Sequence, residues 1–136
     1  AGQVEATLAR MKLDHVDLLV FHGLSALELW RTVSGPGGLM AELGEEVARG
    51  RVRFRGISSH HPEVLREAIG SGLCDVAMFA VGPFVDPRYV DEVLPLAKAR
   101  GVGSVCFKAF GAGKLLGDTE GYQRPLAPGQ LRPRGK

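Results

Sequence analysis

The sequence has only two cysteines, a single tryptophan, no long apolar run and almost no net charge, and each shortage removes a class of protein. Cys74 and Cys106 are too far apart for a CxxC redox pair or a zinc knuckle, so both are expected to be free, buried thiols inside strands. A membrane-spanning helix needs roughly 18 consecutive apolar residues, and no stretch approaches that. The first residues hold no charged segment leading into an apolar block. A cytoplasmic protein with no membrane partner is therefore expected. The formal net charge of +2 is too small to argue for a nucleic-acid or anionic-surface partner.

The charge is nevertheless uneven. Between Gly121 and Lys136 stand Arg124, Arg132, Arg134 and Lys136 with no acid, interleaved with Pro125, Pro128 and Pro133. Such a stretch cannot bury enough apolar surface to offset its ordering entropy. Residues 118–136 are read as a basic loop or disordered tail, with phosphate binding by its arginines as a second reading.

What the chain does have is a repeated grammar. A hydrophobic share of 45% and a charged share of 24% are those of a globular domain with one core. DLLVFHG, Asp17 to Gly23, is a buried-strand pattern ending on a histidine as the chain turns away. Three more strands follow, Val52 to Ser59 opening into SSHHP, Cys74 to Val81 opening into GPF, and Val102 to Lys108 opening into AFGAGK. Helical patterns separate them. Leu39, Leu43 and Val47 mark one apolar face ending at Gly50. Val64, Leu65, Ala68 and Ile69 mark a second behind Pro62, and Val90, Val93, Leu94 and Ala97 a third ending at Gly101. A short helix is expected over Ala26 to Arg31. Val4, Leu8 and Met11 suggest that the chain begins inside a helix, as though cut. The fold class is α/β with about four parallel βα units. A closed (β/α)8 barrel takes about 250 residues, so this is about half of one.

The runs LDHVDLLVFH, ELGEEVARGRVRFRGISSHHPEVLREAI, DVAMFAVGPFVD and LPLAKARGVGSVCFKAFGAGKLL are similar, in order and spacing, to the fourth through seventh strand units of the aldo/keto reductase family. The resemblance covers roughly residues 3 to 117, and residues 1–117 are read as the barrel segment. It implies part of a TIM barrel that binds NADPH, less often NADH, at the C-terminal mouth and reduces an aldehyde or ketone by hydride transfer. The family's catalytic aspartate, tyrosine and lysine belong to strand units absent from this sequence, so the chain alone is expected to be inactive.

His22 stands at the position of the family's catalytic histidine. A neutral imidazole N–H aimed at a carbonyl oxygen stabilises the charge that hydride transfer builds there. The plain alternative is a strand-end histidine satisfied by backbone. Ser58 and Ser59 stand where the family has Ser-Asn against the nicotinamide carboxamide, and each could instead cap the helix after Pro62. Met78 replaces a family glutamine at the same carboxamide. Phe107 takes the place of the tyrosine that stacks on the nicotinamide, or is simply core. Lys108, Phe110, Gly111, Ala112, Gly113 and Lys114 map onto the turn beside the pyrophosphate, where glycines allow close approach and lysine supplies charge. That turn is not a P-loop, because Leu115 follows Lys114, and GVGSVC precedes its strand and is no dinucleotide fingerprint.

Two other function classes stay open. His22, His60 and His61 could ligate a metal in a barrel hydrolase or isomerase. Alternatively the chain is a non-catalytic barrel module, self-associating through its open edges. His15 is read as structural, and Trp30 either lines the substrate opening or packs its short helix.

Overall fold

The computed structural model describes residues 2–82 and 85–109. Its elements are α1 (Gly2–Met11), β1 (Val16–Phe21), α2 (Leu27–Ser34), α3 (Leu39–Ala48), β2 (Val52–Ser58), α4 (Pro62–Gly70), β3 (Val76–Ala80), a π-helical turn (Tyr89–Val93) running into α5 (Leu94–Arg100), and β4 (Gly103–Phe107). The strands form one sheet in the order β1-β2-β3-β4, every neighbouring pair parallel. This is the expected βα progression.

Strand alternation divides the sheet into two faces. Ile57, Ala77 and Phe79 are fully buried against the helices, with Leu19 and Phe21 packed beside them. The α4 residues Val64, Leu65, Ala68 and Ile69 and the α5 residue Ala97 close over this face. Trp30 of α2 joins the same core at 1% exposure, which settles its role as packing. Leu18, Val20, Phe54, Gly56, Ser58, Met78, Val105 and Phe107 take the alternate positions, on the face away from the helices. Phe54 and Val105 are each 41% exposed there. Gly56 permits a close approach of β2 to β3: a Cβ at this position would lie 2.3 Å from the Val76 carbonyl oxygen.

A buried carboxylate on α3 is held by two arginines of the turn that leads into β2. Glu46 accepts hydrogen bonds from Arg51 Nε at 2.5 Å and Nη2 at 2.9 Å, and from Arg49 Nη1 at 2.9 Å. The hydrogen bonds from Arg51 are the main reason its pKa falls below the ordinary range, with Arg49 adding to the effect.

Three expectations need correction. Cys74 lies before β3 and not inside it, although it is buried, and burial pushes its thiol up to about 12. Cys106 is in β4 but exposed, because β4 is the edge of the sheet among the described residues. Val90 is 49% exposed and not on the buried face. It lies in the π-helical turn, whose wider i→i+5 bonding rotates it off the stripe that Val93 and Ala97 continue. The short helix predicted over Ala26 to Arg31 is found at Leu27–Ser34.

Candidate functional site

The polar strand ends meet at one rim. His22 is the first residue past β1, exposed, and the pairing of Phe21 with Ile57 sets it beside Ser58. Its backbone turn is fixed by Gly23, at φ +75°, a left-handed conformation that side chains rarely adopt. The Ser58 carbonyl accepts from both Gly23 N–H at 3.0 Å and Leu24 N–H at 3.2 Å. Ser59, fully buried, donates its hydroxyl to the Leu24 carbonyl at 2.5 Å and accepts from the His61 N–H at 3.1 Å. These bonds stitch the exit of β1 to the exit of β2. The hydroxyl of Ser59 is thus committed within the fold, and the residue at the N-cap of α4 is His61, with no side-chain capping bond.

Phe107 ends β4 opposite Ala80, half-buried on the same face as Ser58 and Met78. His60 stands edge-on to its ring, with centroids 5.5 Å apart and planes at 80°. Lys108 Nζ lies 5.5 Å from the Phe107 centroid and 3.4 Å from His60 Nε2. Lys108 holds φ +58°. Lys12 has a similar angle, but at the ordinary exit of a helix; Lys108 takes it at the end of a strand.

The rim therefore gathers His22, Ser58, Phe107, Lys108 and His60, with Met78 beside Ser58. Gly111, Gly113 and Lys114, with Phe110 and Ala112, lie outside the described residues. The contact between His60 and Lys108 is the feature sequence reading missed. Gly82, just past β3, lies close against the exit of β4: a Cβ there would be 3.0 Å from the Ala109 carbonyl oxygen and 3.2 Å from that of Lys108.

The histidines do not converge as ligands. His60 turns to Phe107 and Lys108, while His61 Nδ1 lies 3.5 Å from Glu63 Oε1. Among the described residues no three His, Cys, Asp or Glu side chains are grouped to hold a metal ion. His15 is exposed, and its Nδ1 lies 2.6 Å from the neighbouring Asp14 carboxylate. Among the described residues no helix is long and apolar enough to cross a membrane. A cleft of about 700 Å³ lies elsewhere, between α1, β1 and α3, with a lining that includes Leu8, Leu19 and Leu43.

A parallel sheet backed by helices, with its polar groups at the C-terminal strand ends, defines part of an α/β barrel enzyme scaffold. The aldo/keto reductase family model matches residues 1–133, and the chain belongs to that family. Among solved structures it is similar to an aldo-keto reductase from Bacillus halodurans. The holo form gives a TM-score of 0.68 at 26% identity, covering 95% of this chain and 39% of that one. The apo form gives 0.67 at 27%, covering 95% and 41%. A glycerol dehydrogenase from Gluconobacter oxydans shares the fold, with a TM-score of 0.63 at 21% identity, covering 98% and 38%. The chain thus spans about two fifths of the length of these structures.

Proposed function

We propose that this chain supplies the His22 side of an NAD(P)H-dependent carbonyl reductase, with NADPH as the preferred nucleotide and a small aldehyde or ketone as substrate. The observation that carries the reading is the juxtaposition of His22 and Ser58 across the β1–β2 register, on the face that also presents Phe107. Family membership supports the reaction class.

The residues present fit the nucleotide in part. Phe107 would offer a flat ring at the rim for offset stacking on the nicotinamide, and Ser58, on the same face, would hold its carboxamide. Ser59 is left out of this role, because its hydroxyl already serves Leu24 and His61. When bound, the nicotinamide supplies the hydride. His22 donates an imidazole N–H toward the carbonyl oxygen and orients the substrate, and the Gly23 and Leu24 bonds to Ser58 hold that donor in place. Met78 presents an apolar wall beside Ser58.

The test is a calorimetric titration with NADPH, NADH and zinc, on the protein as the cell makes it and on Phe107→Ala. NADPH is expected to bind, and the variant to bind more weakly by about 0.5–1.5 kcal/mol plus lost burial. Tight zinc binding with no response to either nucleotide would replace this reading with the metal-enzyme one.

A further inference from the structure

We infer that Ser59 is a positioning residue for His22: its buried hydroxyl holds the Leu24 carbonyl, and through it the turn that aims the imidazole at the substrate. The inference rests on the carbonyl-reduction reading. It gives Ser59 a task other than the carboxamide contact that the family resemblance implies for its position.

His22 depends on its backbone for its aim. It is exposed at the exit of β1, and among the described residues no side-chain hydrogen bond holds its ring. The two residues after it are fixed. Gly23 turns at φ +75°, and Leu24 is in the core at 3% exposure. The Leu24 backbone is then gripped at both its polar groups: its N–H donates to the Ser58 carbonyl at 3.2 Å, and its carbonyl accepts from Ser59 Oγ at 2.5 Å. Ser59 is anchored independently of that turn. Its N–H donates to the carbonyl of Met78 on β3 at 3.2 Å, and its hydroxyl accepts from the His61 N–H, at the start of α4, at 3.1 Å. One fully buried side chain thus refers the turn beside His22 to two other elements of the fold. Of the bonds from residues 58 and 59 to residues 23 and 24, it is the one made by a side chain.

A donor aimed at a developing oxyanion works only when it is held in place beforehand, and a displacement of an ångström can cost orders of magnitude in rate. Removing the Ser59 hydroxyl takes a donor from the Leu24 carbonyl and loosens the turn two residues from the imidazole. Three roles for this hydroxyl leave different traces. A carboxamide contact acts on nucleotide affinity, and a helix-start contact acts on stability. A positioning role acts on turnover, and only while His22 is present to be positioned.

The experiment is a double-mutant cycle of Ser59→Ala and His22→Ala in the protein as the cell makes it, with butanal and butanone as probes at saturating NADPH. Ser59→Ala is expected to lower kcat by about tenfold or more, with the NADPH affinity, read by fluorescence, within about twofold of wild type. In the His22→Ala background the same substitution should change kcat by less than about twofold. Equal losses in the two backgrounds would show that Ser59 acts independently of His22 and overturn the inference. Unchanged kcat would overturn it too, and weakened NADPH binding with kcat retained would return Ser59 to the carboxamide. If Ser59→Ala does not fold, Ser59→Cys, a weaker donor of similar shape, goes through the same cycle with the same criteria. If neither probe is reduced with NADPH or NADH, the reductase reading fails, and amide hydrogen exchange then decides whether Ser59 holds the turn. Faster exchange at Gly23 and Leu24 in the Ser59 variant, with the β1 amides unchanged, supports it, and unaltered exchange at both overturns it.

Discussion

Cys74 and Cys106 look alike in the sequence, two thiols in apolar strand-like runs, yet the fold separates them chemically. Cys74 is buried at the foot of β3 with its thiol raised to about 12, so almost none is thiolate at neutral pH. Cys106 is exposed on the edge strand. Iodoacetamide at neutral pH should label Cys106 in the native 136-residue chain and reach Cys74 only in denaturant; equal native labelling of both would contradict the burial described. What misled the sequence reading is general: apolar alternation identifies a strand but not whether a helix covers it. Ser59 shows the same limit. Its type suited a cap or a carboxamide contact, and its actual partner, the Leu24 carbonyl, is 35 positions away in the chain. His22 was legible from its place at the end of a strand, whereas the pairing of His60 with Lys108 depends on side chains meeting across an intervening strand.

The elements were largely legible, because the helix-facing positions of β1, β2 and β3 and the stripe on α4 follow simple periods. Strand boundaries differ from the sequence reading by a residue or two. The departure at Val90 has a local cause in the π-helical turn, which a constant helical period cannot anticipate. Two tests belong at this scale. Gly56→Ala places a methyl group against the Val76 carbonyl in a sheet that cannot spread, so it should lower stability by about 2 kcal/mol or more in denaturant titration. A shift of a few tenths would show that β2 and β3 can separate. The second test concerns Glu46. Because its folded-state pKa is depressed, its contribution to stability is fully present above the usual carboxylate range, about pH 4.3, and is lost as pH falls through the folded value. Arg51→Met removes the main cause of that depression, so it should destabilise the chain at pH 7 and flatten its acid dependence below about pH 4.3. An unchanged acid limb would place the acid sensitivity elsewhere.

At the scale of the whole molecule, the chain is four parallel strands whose second face is left open, with Phe54 and Val105 exposed on it and the outer edges of β1 and β4 unpaired among the described residues. Such edges and faces seek partners. The 136-residue chain by itself should therefore sediment with a mass that rises with concentration, and a monodisperse monomer over a wide concentration range would contradict this. The central claim, however, concerns His22 at the rim. Its most direct test is the rate of carbonyl-dependent NADPH oxidation by the protein as the cell makes it, compared with His22→Ala, with NADPH affinity measured on both. The account predicts a loss of turnover of about 10²-fold or more with nucleotide binding largely retained. Turnover unchanged in His22→Ala would contradict it.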